Sequence, residues 1–283
     1  MIHTTINLSV PYDEKINNNG FQPTVTTYIL DNYPQIDPSR KRPLILICPG
    51  GGYQHLSPRE AEPIAIQMNA MGFHACVLRY SIVDNPEVPM CFPSSFLDAC
   101  QAIALIRSRA EEWNVDPDKI VVAGFSAGGH LAATVGVHWK NQMVQEYLHL
   151  KSEQVKPNAL LLCYPVITAG EFAHRGSIKN VLGTSTVSPD FVSLEKQVSS
   201  DVPPTFMWHT YSDETVPVEN SLLFANELRK NKIPLELHIF AKGLHGLALA
   251  SQETAPDNYP AIIQPECQIW VNLFGTWLKA LYK

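Results

Sequence analysis

From about residue 43 onward, the apolar positions of this chain alternate between two rhythms. Short unbroken apolar runs predict strands: Leu44-Ile45-Leu46-Ile47-Cys48, Phe73-His74-Ala75-Cys76-Val77-Leu78, residues 119–125, Ala159-Leu160-Leu161-Leu162-Cys163, Pro204-Thr205-Phe206-Met207-Trp208 and residues 235–240. Such runs have no polar face, which is expected of strands covered on both sides. Between them, helical spacing predicts helices over 60–71, 94–112, 127–139, 218–231 and 264–281. In the second of these, Phe96, Ala99, Ile103 and Ile106 share one face. Repeated strand–helix alternation predicts an α/β architecture, a mostly parallel twisted sheet with helices on both faces. Residues 2–9 and 23–30 instead alternate apolar with polar, and Asn17-Asn18-Asn19-Gly20 between them is a turn signal. They predict an antiparallel N-terminal edge.

Two stretches break the rhythm. Residues 81–93 carry Pro86, Pro89 and Pro93, and residues 164–203 separate two predicted core strands. Connections that long in a compact domain are usually functional or disordered. Both are read as walls over a site. The expected organisation is one domain over residues 1–283 with a cap-like insertion at about 164–203.

The chemistry gathers where predicted strands end. The run Val121-Val122-Ala123 leads into Gly124-Phe125-Ser126-Ala127-Gly128-Gly129, and a helical pattern follows at once. A serine on such a strand–turn–helix corner presents its hydroxyl beside the free N–H groups of a helix start. A serine hydroxyl needs a base, and the base needs an orienting acid. Asp213 follows the strand ending near 208, and His245, flanked by Gly243 and Gly246, follows the last strand. Glu214 is the nearest rival acid, with Asp201 and Glu219 behind it. His209 and His238 fall inside strands, His174 in the insertion and His130 one turn beyond Ser126, so each is a weaker base. Pro49-Gly50-Gly51-Gly52-Tyr53 follows the first core strand and lacks the nucleotide-binding glycine fingerprints. It reads as an oxyanion hole with the N–H groups of Gly51, Gly52 and Ala127 as donors. Tyr53, Phe125 and His130 are taken as substrate-pocket residues.

Composition narrows the field without deciding it. A net charge of −6 with no basic cluster argues against nucleic acid or an anionic membrane surface. No apolar run approaches a membrane span, and the first residues lack the pattern of a secretion signal. Six cysteines without a C-x-x-C pair argue against a disulfide framework or zinc site. Three of them, Cys48, Cys76 and Cys163, sit in predicted core strands. A reducing cytoplasm is the expected compartment. No cofactor and no metal are called for, and self-association is left open.

The order Ser126, Asp213, His245 and the glycine loop resemble the α/β-hydrolase superfamily, in particular the small esterases related to hormone-sensitive lipase. The chain is more similar still to a bacterial group of short-chain carboxylesterases and acetyl esterases. It shares with them Pro49-Gly50-Gly51-Gly52-Tyr53, Arg59-Glu60-Ala61-Glu62-Pro63-Ile64-Ala65, Leu78-Arg79-Tyr80-Ser81 and Gly124-Phe125-Ser126-Ala127-Gly128-Gly129-His130-Leu131-Ala132. The resemblance implies a small-molecule ester substrate, acetyl esters above all and acetylated sugars among them. Pro49 stands where the lipase-related esterases carry histidine, which changes loop packing more than N–H donation. Two alternatives are a prolyl-oligopeptidase-type serine peptidase, for whose propeller the chain has no room, and a non-catalytic binding protein, which would typically lack the serine or the histidine.

Overall fold

A computed structural model describes residues 1–12, 16, 20–83, 90 and 92–283. The expected turn at Asn17-Asn18-Asn19, the prolines 86 and 89, and Cys91 lie outside the described residues. The strands are β1 (Thr5–Asn7), β2 (Thr24–Tyr28), β3 (Arg42–Cys48), β4 (His74–Arg79), β5 (Val115–Phe125), β6 (Ala159–Cys163), β7 (Thr205–Thr210) and β8 (Leu235–Phe240). They form one sheet in the order β1-β2-β4-β3-β5-β6-β7-β8. The pairs β1–β2 and β2–β4 are antiparallel, and all the others are parallel. The α/β sheet with an antiparallel N-terminal edge is therefore as the hydrophobic pattern predicts.

The unbroken apolar runs have a direct cause. Side chains alternate across a strand, and here each face has its own core. Leu44, Leu46, Ile120, Val122, Leu160 and Leu162 point into one; Ile45, Ile47, Val121, Ala123, Ala159 and Leu161 point into the other. Each such Leu, Ile or Val gains about 1.5–3 kcal/mol on burial. The first face is covered by α2 (Ser94–Ser108), α3 (Ala127–His138), α4 (Gln142–Leu148), α5 (Ser152–Val155), α6 (Arg175–Leu182) and α7 (Glu219–Lys230). The second face carries α1 (Glu62–Ala70), α8 (Pro265–Gln268) and α9 (Trp270–Leu281).

Several bounds differ from the sequence reading. The helix expected over 94–112 ends at Ser108, and the chain turns through Asn114 at φ 54° before β5. The helix expected from residue 60 starts at Glu62, after a single 3-10 turn over Pro58–Glu60. β7 runs on to Thr210. The short helices α4 and α5 have no counterpart in the predicted pattern; α4 buries only Val144 and Leu148. Residues 164–203 hold α6 and two 3-10 turns, and their Val166, Ile167, Ile178, Val181, Val192 and Leu194 pack into the first core. No helix among the described residues is long and apolar enough to cross a membrane.

Candidate active site

β5 delivers Ser126 to the sheet tip, and α3 starts at the next residue. Ser126 has φ 54° and ψ −119°, a region that costs a non-glycine residue about 1–3 kcal/mol. Its backbone is tied down: Ser126 N–H donates to Cys163 O at 3.0 Å, and its carbonyl accepts from His130 and Val166 N–H, each at 3.1 Å. The flanking glycines permit the corner. A Cβ on Gly124 would sit 2.0 Å from Gly128 O, and one on Gly128 would sit 2.0 Å from Cys48 O.

Asp213 and His245 reach the same tip from the loops after β7 and β8. Those loops are fastened to each other: Ser212 Oγ accepts from Gly243 N–H at 3.0 Å, and Thr210 Oγ1 donates to Gly243 O at 2.9 Å. Ser126 Oγ is 2.7 Å from His245 Nε2, and His245 Nδ1 is 2.6 Å from Asp213 Oδ2. The other carboxylate oxygen accepts from the N–H groups of Thr215 and Val216, at 3.0 and 2.9 Å. Burial raises the Asp213 pKa, but hydrogen bonds from His209 and His245 and the Val216 N–H outweigh it, and the carboxyl is held below its ordinary range. An ionised carboxylate only accepts. So His245 Nδ1 carries the proton, and Nε2 is left to accept from the Ser126 hydroxyl.

The rival residues go elsewhere. Glu214 is exposed, and Asp201 pairs with Lys140 on the surface. Glu219 opens α7. His238 pairs with Glu236, and His209 is wholly buried between Ser221, Val216 and Asp213. His130 Nε2 faces Val192 O at 2.8 Å and must donate, so its Nδ1 accepts from the Tyr53 hydroxyl at 2.8 Å. Burial lowers its pKa to about 4.

In the glycine loop, the carbonyls are held on one side. Gly50 O accepts from Ser57 N–H at 2.9 Å, and Gly51 O accepts from Gln54 and His55 N–H at 3.0 and 3.1 Å. A trans peptide points its N–H opposite its C=O, so the following N–H groups, those of Gly51 and Gly52, turn the other way. Gly51, Gly52 and Ser126 line one cavity of about 300 Å³, together with His245, His174 and Arg59. Among the described residues, the N–H groups of Gly51, Gly52 and Ala127 have no acceptor. Glycines aside, every residue lining this cavity is polar. A larger neighbouring cavity of about 540 Å³ shares Gln54, His55 and Ser57 with it but does not reach Ser126.

The expected pocket residues need correcting. Tyr53, Phe125 and His130 are 1%, 0% and 0% exposed and do not line the cavity. Phe125 precedes the elbow serine, so alternation along β5 sends its ring into the second core beside Tyr164 and Trp270. Tyr53 and His130 are spent on each other in the first core. The cavity wall instead includes Arg59, Glu60, His174 and Thr215. His174 caps α6, its Nδ1 accepting from Ser177 N–H at 3.3 Å, which leaves the proton on Nε2. Among the described residues, no group of three His, Cys, Asp or Glu side chains is placed to hold a metal ion.

The model of the BD-FAE family matches residues 30–228, which take in the glycine loop, the elbow and Asp213. The chain belongs to the BD-FAE family. This is a group of α/β-hydrolase esterases. Among its relatives is the endo-1,4-beta-xylanase B of Butyrivibrio fibrisolvens, 37% identical over 238 residues. That match takes in 83% of this chain and 36% of the relative, so the chain spans about a third of that protein's length. Among solved structures, the acetyl ester-xyloside bifunctional hydrolase from Caldicellulosiruptor lactoaceticus is 40% identical, with 93% of this chain and 89% of that one covered and a TM-score of 0.77. The carboxylesterase Cest-2923 from Lactobacillus plantarum is 30% identical, with 99% and 98% covered and a TM-score of 0.86. This BD-FAE chain thus shares the fold of its esterase neighbours over nearly its whole length.

Proposed function

We propose that the protein is a serine carboxylesterase that hydrolyses short-chain acyl esters, acetyl esters above all and acetylated sugars among them. The observation that carries this reading is the unbroken hydrogen-bonded chain from Ser126 through His245 to Asp213, with Gly51 and Gly52, whose N–H groups are unspent, lining the same cavity as Ser126 and His245. In this mechanism Ser126 Oγ attacks the ester carbonyl carbon while its proton passes to His245 Nε2. The N–H groups of Gly51, Gly52 and Ala127 stabilise the oxyanion. Collapse breaks the C–O bond to the alcohol, which leaves with the proton from Nε2. Water then attacks the acyl-enzyme, gives one proton to Nε2 and releases the acid, and that proton returns to Ser126. Asp213 holds the imidazole tautomer throughout.

A peptide substrate is less well supported, because the cavity holding Ser126 is only about 300 Å³. Glycoside cleavage normally needs two carboxylates facing one bond. Among the described residues, the one carboxylate in the cavity wall is that of Glu60, both of whose oxygens are already bonded. We read residues 164–203 as the roof of this single domain, because Asn180 Nδ2 donates to Gly52 O at 2.8 Å and His174 lines the cavity. Five buried unpaired thiols, at Cys48, Cys76, Cys100, Cys163 and Cys267, suit a cytoplasmic location. The deciding experiment is hydrolysis of nitrophenyl acetate and acetylated xylo-oligosaccharides, with fluorophosphonate labelling mapped by mass spectrometry. Ester turnover with the label on Ser126 supports the reading. No labelling and no turnover would favour a binding protein.

A further inference from the structure

Arg59 and Glu60 take no part in the proton transfers above, yet they lie between the two halves of the site. Glu60 is 2% exposed. Its Oε2 accepts from Gly50 N–H at 2.8 Å, and its Oε1 accepts from the Tyr164 hydroxyl at 2.7 Å. That hydroxyl in turn accepts from Ala248 N–H at 2.9 Å. The Tyr164 ring stands edge-on to the His245 imidazole, with centroids 5.2 Å apart. Next door, Arg59 Nη1 donates to the carbonyls of Gly246 and Thr254, at 2.9 and 3.2 Å.

Burying a carboxylate between two neutral donors is costly, so a residue that merely filled this space would more cheaply be neutral. A carboxylate offers what a carboxamide does not: two acceptor oxygens that can take a bond from each of two loops. One oxygen fixes the peptide that opens the glycine loop. The other fixes the tyrosine that braces the histidine loop. We infer that Glu60 is a positioning residue that, through Tyr164, sets the spacing between the Gly51 and Gly52 N–H groups and His245, and that Arg59 fastens the histidine loop from its far side. The inference rests on the esterase reading above, and it gives the Arg59-Glu60 pair a task in the transition state.

The test is steady-state hydrolysis of nitrophenyl acetate by wild type, Glu60→Gln, Tyr164→Phe and the double variant, with Ser126→Ala as the blank. Active sites are counted by fluorophosphonate titration, so that rates refer to folded enzyme. Misplaced donors weaken transition-state binding more than substrate binding. Each single variant should therefore lose about tenfold or more in kcat while KM stays within about threefold. The double variant should lose clearly less than the product of the two single losses, because the Glu60–Tyr164 bond is common to both. A folded Glu60→Gln with kcat within about threefold of wild type, or single losses that multiply, overturns the inference. If Glu60→Gln does not fold, Tyr164→Phe, which keeps the buried ring, decides by the same kcat threshold. A wild type no faster than Ser126→Ala would mean that the esterase reading itself is wrong, and the inference falls with it.

Discussion

His209 Nε2 lies 3.3 Å from Asp213 Oδ2, the same oxygen that meets His245 at 2.6 Å. Both side chains of the His209–Asp213 pair are fully buried. With the N–H groups of Thr215 and Val216 on its other oxygen, the Asp213 carboxylate faces four donors. It is fixed in orientation and kept ionised before any substrate arrives.

Asp213→Asn should therefore cut turnover by roughly 10³–10⁴, because a carboxamide in this nest no longer enforces the imidazole tautomer. Glu214→Gln, altering an exposed side chain, should leave kcat within about threefold. Steady-state kinetics of the two variants check this. A larger loss at Glu214 would move the acid by one residue.

Ser126→Ala should lower kcat by about 10⁶ with the fold intact. The readouts are ester turnover and circular dichroism. Activity within about tenfold of wild type would assign the nucleophile elsewhere.

Acetate and propionate esters should be preferred to long acyl chains. A buried methylene gains about 0.8 kcal/mol, but the cavity over Ser126 is about 300 Å³ and has no Leu, Ile, Val, Met or Phe side chain in its lining, so a lengthening acyl chain finds little room there. The measurement is kcat/KM for nitrophenyl esters from two to ten carbons. An optimum at eight or more would contradict the polar lining.

Stability should fall as pH drops from about 6.5 to about 4. Burial lowers the pKa of His74, His130 and His138 to about 4 each, while the unfolded chain titrates near 6.5. In that window the unfolded state binds more protons, so acidification favours it. Asp98, raised to about 6 by burial, works in the opposite sense, favouring the folded state as pH falls from about 6 to about 4, but it is one group against three. Calorimetric Tm between pH 7.5 and 4.5 tests the sum, and a flat or rising Tm on acidification would refute it.

Gly128→Ala should be among the costliest small substitutions in the chain. The added methyl would sit 2.0 Å from Cys48 O and 2.5 Å from Pro49 O, both backbone atoms. Overpacking of this kind costs about 1–3 kcal/mol or more. Denaturant melts and residual turnover should fall together, since relief requires β3 and α3 to separate at the elbow.

The sheet was legible because its central strands are buried on both faces, and the hydrophobic runs say so without help from context. Ser126, Asp213 and His245 could be picked out because each follows a strand whose end the pattern marks. Tyr53, Phe125 and His130 were misjudged for a physical reason: closeness in sequence to a reacting residue does not set side-chain direction. Alternation along β5 turned Phe125 into the second core, and the helical turn of α3 took His130 to Tyr53. Glu60 was hidden in another way. A charged residue beside a helix start reads as solvated surface, and only the folded chain reveals Gly50 and Tyr164 as its partners. The one local cue was the shared Arg59-Glu60 motif. His174 left no periodic signal, being the cap of a helix within an irregular stretch.

The bond from Asn180 to Gly52 O ties residues 164–203 to the glycine loop, and that from His130 to Val192 O ties them to α3. A protein engineer therefore cannot treat residues 164–203 as an interchangeable module. Grafting a different roof to admit a bulkier alcohol would cut both tethers and loosen the donors beneath it, trading turnover for breadth. Variants that keep Asn180 and the Val192 carbonyl in place, and vary the exposed residues between them, are the ones that can change selectivity while preserving rate.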